Sequence, residues 1–217
     1  MNKLVAFYNS SIGKKVTMSL TGLFLCIFLV EHLVGNLLLF KNDGGKMYQA
    51  YTEFLVGNVV IRTIEIVLFA SLVGHALSGV SVWFLNKRSR PQKYDVYRLK
   101  DNTPLASRIT MLTGSIVFLF LVIHLRTFFV GSRFAAEEPN MYEMIRTAFA
   151  SPSYSIFYVV ALAFLAYHLK HGFQSAFQTL GLNNKKYTWL INAVAVIFWL
   201  LIPIGFASLP VYFLWFK

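Results

Sequence analysis

Long apolar runs separated by short polar connections dominate the chain. In the fifth run, Pro203 and Pro210 predict a kink or a break of the helix. No run alternates apolar and polar residues as a half-buried strand would, and each reaches the ~20 residues with which a helix spans a bilayer. The pattern predicts an all-α integral membrane bundle of five transmembrane helices in a single domain, residues 1–217. The runs cover about 16–40, 59–85, 106–130, 153–180 and 189–215.

The composition supports a membrane protein. Hydrophobic residues make up 57% of the chain and charged residues only 13%, whereas about 25% of a soluble domain is charged. The net charge of +11 would favour nucleic-acid binding in a soluble protein. Here the basic residues lie mainly in the connections, so we expect them to set topology and docking and we expect no nucleic-acid partner. The single cysteine, Cys26, excludes both an internal disulfide and covalent c-type haem attachment.

The connections differ in positive charge from one side of the bundle to the other. Eleven basic residues fall in the N-terminus and in the second and fourth connections, against four in the first and third connections. Because positively charged loops stay in the cytoplasm, the N-terminus is predicted to be cytoplasmic and the C-terminus to lie outside.

Two helices of the chain resemble two others at nearly the same spacing. The segment "LTGLFLCIFLVEHL" (20–33) matches "LTGSIVFLFLVIHL" (112–125) at a shift of 92. A shift of 93 aligns His75 with His168 and Gly79 with Gly172 in a His-x-x-x-Gly pattern. The nearly equal shifts indicate a repeated two-helix unit.

All five histidines lie inside predicted spans, and helices one to four each carry at least one: His32, His75, His124, His168 and His171. Ionisable groups inside a bilayer are expensive and usually functional, although each ring could instead satisfy a hydrogen bond between helices. Counting from the helix centres places His32 and His124 toward the outer face, and His75 and His168 toward the cytoplasm. The repeat gives the same two pairs.

Two neutral imidazoles that face each other across a bundle suit the axial positions of a b-type haem. Zinc would require three or four ligands at one depth. A proton relay usually includes nearby acids, and Glu31 and Glu65 are the only mid-span acids. Gly79 and Gly172 would leave room for a flat macrocycle, or would allow close helix packing.

The helix-four histidines can be distinguished by the repeat. His168 takes part in the His-x-x-x-Gly pattern, and His171 does not. We therefore assign iron to His168. His171 lies about 4.5 Å further toward the cytoplasm, where it would suit the propionate edge of the inner haem or an interfacial position.

On the five-helix order, the four histidines, the His-x-x-x-Gly pattern and "SSIGKKVTMSLTG" (10–22), the chain resembles a known family. It is similar to the cytochrome b membrane subunits of succinate dehydrogenases and fumarate reductases, in the class with five helices and two haems b. The resemblance implies an electron-transfer subunit that reacts with a membrane quinone, commonly menaquinone. It also implies flavoprotein and iron–sulfur subunits on the cytoplasmic side, where the succinate or fumarate chemistry takes place, and a bacterial inner membrane location.

The family implies that His32 and His124 hold the outer haem and that His75 and His168 hold the inner one. Glu53 is the nearest equivalent of an acid that serves the quinone in some relatives. Two alternatives remain open: the cytochrome b subunit of a nitrate reductase or hydrogenase, and a haem-free proton-coupled transporter that uses its histidines as proton sites.

Overall fold

The computed structural model describes residues 3–89, 108–135 and 140–216, and in these ranges the chain is helical without a strand. Five of its helices are long and apolar enough to cross a membrane, which confirms the predicted all-α bundle. The predicted start of the third span at 106 and most of the basic second connection lie outside the described residues. In chain order the helices are α1 (Lys3–Asn9), α2 (Ser11–Phe40), α3 (Lys46–Gly57), α4 (Val59–Arg88), α5 (Thr110–Arg133), α6 (Met141–Phe149), α7 (Pro152–Thr179) and α8 (Thr188–Trp215).

Several helices begin where a polar side chain satisfies the free backbone N–H groups of the first turn. Ser10 Oγ accepts from Gly13 N at 2.9 Å, so α2 begins five residues before the apolar run does. Asn58 Oδ1 accepts from Val60 N at 2.9 Å at the start of α4. These caps explain the helix boundaries better than hydrophobicity does, because hydrophobicity does not register backbone hydrogen bonding.

The fifth span is one continuous helix, so of the two predicted outcomes, a kink or a break, the break does not occur. Its local change is a π turn over Ile197–Leu201, immediately before Pro203. Pro203 has no N–H to donate to the preceding turn, and a wider turn accommodates that loss. Pro210 lies within the helix. A second π turn, Leu125–Val130, directly follows His124 in α5.

The spans pack so that two of them occupy the centre. Helix α2 lies mainly against α4, and α7 lies against α5, α2 and α8. We call the end with the 41–58 and 134–151 connections the upper end, and the end with α1 and the 180–187 connection the lower end. An aromatic cluster that includes Tyr48, Phe149 and Phe213 fills the bundle toward the upper end.

A glycine turn joins α2 to α3 at the upper end. Gly44 and Gly45 have φ angles of 68° and 83°, in the left-handed region. The Asp43 carboxylate accepts from Met47 N and Gly45 N, both at 2.9 Å. These backbone hydrogen bonds, that of Met47 first, hold the pKa of Asp43 below its usual value. The turn therefore depends on glycine geometry and on a charged cap together.

Alanine at Gly45 is expected to destabilise the upper end more than alanine at Gly44. Left-handed backbone costs a non-glycine residue about 1–2 kcal/mol at either position. A Cβ at Gly45 would also overlap the ring of Tyr142, whereas a Cβ at Gly44 meets nothing within 4 Å. The midpoint of thermal unfolding in detergent should fall for both variants and further for Gly45→Ala. Equal shifts would contradict this.

Candidate functional site

Four histidines from four helices form two facing pairs. The rings of His32 and His124 have centroids 5.9 Å apart with planes at 89°. Those of His75 and His168 are 6.2 Å apart at 83°. We call these the upper pair and the lower pair. They are the two pairs that the sequence predicts by depth and by repeat.

The two rings of the lower pair lie beside equivalent residues of the repeat, Met18 for His75 and Thr110 for His168. His75 Nδ1 is 3.0 Å from Met18 O, and it would donate to that carbonyl. His168 Nδ1 is buried and has no hydrogen-bond partner within the described residues, although Thr110, the repeat equivalent of Met18, lies beside its ring. A carbonyl acceptor at Nδ1 fixes the tautomer that leaves the Nε2 lone pair free for a metal.

Two glycines make room for the lower rings. A Cβ at Gly22 would lie 3.0 Å from His75 Cε1, and one at Gly114 would lie 3.2 Å from His168 Cε1. These are the glycines of the repeated Leu-Thr-Gly sequence. The alignment of this repeat was visible in the sequence, but the role of its glycines was missed, because a side-chain ring on another helix occupies the space.

The upper pair is held by side chains instead of backbone. His124 Nδ1 is 3.0 Å from the Tyr158 hydroxyl, which in turn is 3.2 Å from the Tyr154 hydroxyl. The Asn36 amide lies 3.5 Å from His32 Nδ1. That distance is too long to fix the tautomer of His32. The two rings of the upper pair thus differ in how firmly they are oriented.

The geometry of both pairs fits a bis-histidine haem. Two imidazoles that bind one metal ion from opposite sides, each at about 2 Å, have ring centres roughly 6 Å apart. In the described ranges no three His, Cys, Asp or Glu residues gather into a metal cluster, as a zinc site would need. A Cβ at Gly172 would meet no atom within 4 Å, and one at Gly79 would meet only Met18 Sδ, at 3.8 Å. Neither glycine is therefore explained by tight helix packing.

His171 and Glu53 lie apart from the rings. Within the described residues His171 makes no hydrogen bond or ring contact, although it lies near enough to His168 for an electrostatic interaction. Glu53 is on α3, and its carboxylate accepts from Gln49 Nε2 at 3.0 Å. It lines a small polar cavity with Lys46 and Asn140. No hydrogen bond or ion pair connects Glu53 to either pair in the part of the chain that the structure describes.

The two mid-span acids have partners of their own. Glu31, one residue before His32, accepts a hydrogen bond from the Tyr51 hydroxyl. Glu65 pairs with Arg62 at 2.6 Å and with Arg133 at 3.3 Å. Tyr51 comes from α3 and Arg133 from the end of α5, so the sequence alone could not reveal these contacts.

Comparison with known proteins agrees with this architecture. Residues 84–202, more than half of the chain, match the family described as succinate dehydrogenase/fumarate reductase transmembrane subunit. A similar protein is the succinate dehydrogenase cytochrome b558 subunit of Bacillus subtilis (strain 168), which is 26% identical over 158 residues, 72% of this chain and 73% of that protein. No solved structure gives a significant match. The chain belongs to the succinate dehydrogenase/fumarate reductase transmembrane subunit family.

Proposed function

We propose that the chain is the dihaem cytochrome b anchor of a succinate:quinone oxidoreductase. The observation that carries this proposal is the presence of two facing histidine pairs, with ring centres 5.9 and 6.2 Å apart, in a member of this family. The relative from Bacillus subtilis is itself named a cytochrome b558 subunit. His32 and His124 would hold one haem b, and His75 and His168 the other.

A bound haem supplies a centre that takes up and releases one electron at each pair. The chain supplies the position and surroundings of the two centres. On α2, the contact of Gly22 with His75 lies ten residues before His32, which separates the two levels by about 15 Å along the helix. At one ring of each pair, a partner at Nδ1 would hold the ring in place and raise the basicity of the ligating nitrogen: the Met18 carbonyl at His75 and the Tyr158 hydroxyl at His124.

The proposed orientation places the lower end in the cytoplasm. The excess of basic residues in the connections of that end supports it. A flavoprotein and an iron–sulfur subunit would dock there, and a membrane quinone, menaquinone in our proposal, would react near the upper pair. His171, on the lower side of His168, would lie toward the propionates of the lower haem. The succinate or fumarate chemistry would belong to the soluble subunits, and the membrane would be the bacterial inner membrane.

The transporter alternative finds little support. A proton route through the histidines would need acids that face them. Glu31 instead bonds Tyr51, and Glu65 bonds two arginines. The family match supports a succinate dehydrogenase or fumarate reductase over a nitrate reductase or hydrogenase.

A difference spectrum and a purification test the proposal together. The protein expressed with its neighbouring soluble subunits should show b-type bands equivalent to two haems per chain when reduced minus oxidised spectra are recorded. The purified complex should pass electrons from succinate to a quinone. No b-type band would exclude the cytochrome function, and a single haem per chain would contradict the two-site assignment.

A further inference from the structure

A groove at the upper end borders α5 next to His124. It is an open groove of about 540 Å³ that runs between α5, the end of α6 and the first turns of α7. Ile123, the neighbour of His124, forms part of its wall. The groove therefore adjoins the segment of α5 that carries one ring of the upper pair.

The groove lining suits a flat, neutral ring that carries hydrogen-bond acceptors. Its apolar surface includes Ile123 and Phe157, and its polar side consists of hydroxyl groups. Within the described chain the hydroxyls of Thr127 and Thr147 make no hydrogen bond. None of the described lining residues is charged, so the groove offers nothing to bind an ion. Hydroxyl donors beside an apolar wall match the two carbonyls and the ring of a quinone.

A hydrogen-bonded chain connects this groove to the upper pair. Tyr154 lines the groove, its hydroxyl lies 3.2 Å from that of Tyr158, and the Tyr158 hydroxyl lies 3.0 Å from His124 Nδ1. The three side chains are also in ring contact: the two tyrosine centroids are 4.8 Å apart, and those of Tyr158 and His124 are 6.2 Å apart. Tyr154 and Tyr158 thus connect the groove to His124 by hydrogen bonds and by ring contacts.

We infer that this groove binds the quinone headgroup, with Tyr154 as its hydrogen-bond donor and Tyr158 as the positioning residue that connects the site to His124. The inference rests on the proposed function and gives it a location. The proposed quinone site is therefore centred on this groove and not on Glu53, which lies on α3 and bonds Gln49. The alternative location is the opposite flank of the upper pair, where Tyr51 bonds Glu31.

Paired tyrosine-to-phenylalanine variants of the whole complex distinguish the two locations. Tyr154→Phe keeps the ring contacts and removes one hydroxyl, so KM for menadione should rise about fivefold, as expected for one lost hydrogen bond, with kcat changed less than about twofold. Tyr51→Phe, the matched control, should leave KM unchanged. A rise in KM for Tyr51→Phe alone, or no rise for either variant, would overturn the inference.

A blocking variant and a covalent probe provide independent measurements. Thr147 lies on the groove wall, so Thr147→Trp should abolish menadione reduction while both haem bands and succinate-driven reduction of a soluble dye persist. A photoreactive azido-naphthoquinone should label the 147–157 segment by mass spectrometry. Labelling elsewhere, together with normal turnover of Thr147→Trp, would disprove this location. A wild-type complex that reduces dye but never menadione would disprove the proposed function itself.

Discussion

Replacing His168 with alanine is expected to remove one of the two proposed haems. Its ring faces His75 at 6.2 Å, whereas no other described ring contacts His75. Changes in the groups that merely orient a metal ligand cost 10–100-fold in affinity or activity, so loss of the ligand itself should reduce succinate–quinone electron transfer by about 100-fold or more. Haem per chain after purification and the reduced-minus-oxidised spectrum measure the loss.

The matched control is His171→Ala, three residues further along the same helix. His171 has no ring partner in the described residues, so this variant should keep both haems. If it lies near the propionates as proposed, the potential of the lower haem should shift. Retention of the upper haem in His168→Ala would show that the fold survives. The reverse outcome, with a haem lost from His171→Ala and kept in His168→Ala, would exchange their roles.

Alanine at Gly22 is expected to weaken the same lower haem without touching a ligand. The new methyl group would lie 3.0 Å from His75 Cε1 and 3.2 Å from its Nδ1. The ring would have to shift away from its 3.0 Å contact with Met18 O. Loss of this alignment should weaken retention of the lower haem about tenfold, in the range for supporting groups of a metal site. Redox titration should show a smaller lower-haem component.

Two other glycine variants calibrate the effect. Gly114→Ala places its methyl group 3.2 Å from His168 Cε1, so its effect should be weaker than that of Gly22→Ala. Gly74→Ala adds a methyl group on α4 one residue before His75, and its nearest contact is Thr21 Cγ2, at 3.9 Å. This variant should retain both haems, because the methyl group meets no histidine ring and alanine favours helix. Equal losses from Gly22→Ala and Gly74→Ala would contradict the proposed role of Gly22.

The histidine pairing illustrates how far sequence reasoning reaches in a membrane bundle. Each residue of a helix adds a fixed rise, and successive spans run in opposite directions, so the position of a residue along its span predicts its depth in the bundle. His32 and His124 could therefore be matched from residue numbers alone, as could His75 and His168. The same reasoning found the five spans, because a helix that crosses a bilayer requires a long apolar run.

The fifth span shows what the same reasoning left open. Pro203 and Pro210 predicted a kink or a break, and the structure excludes the break: the helix continues from Thr188 to Trp215 with a π turn before Pro203. Pro203 removes one hydrogen-bond donor and adds a clash, and the sequence does not reveal whether a wider turn can absorb both. The continuous helix α8 packs against α7 and α2, contacts that form only in the folded bundle.

What surrounds the rings was decided by tertiary structure alone. Tyr158 lies on α7 and His124 on α5, 34 residues apart, yet the two side chains meet at 3.0 Å. Apolar periodicity shows which residues can face the bundle, but the rotation of each helix against its neighbours selects the contacts. The sequence by itself thus determined the five spans and the histidine pairs, because these depend on helix rise and hydrophobicity. The packed bundle decided the tautomer-fixing partners, the glycine contacts and the groove, because they depend on side chains that meet only after folding.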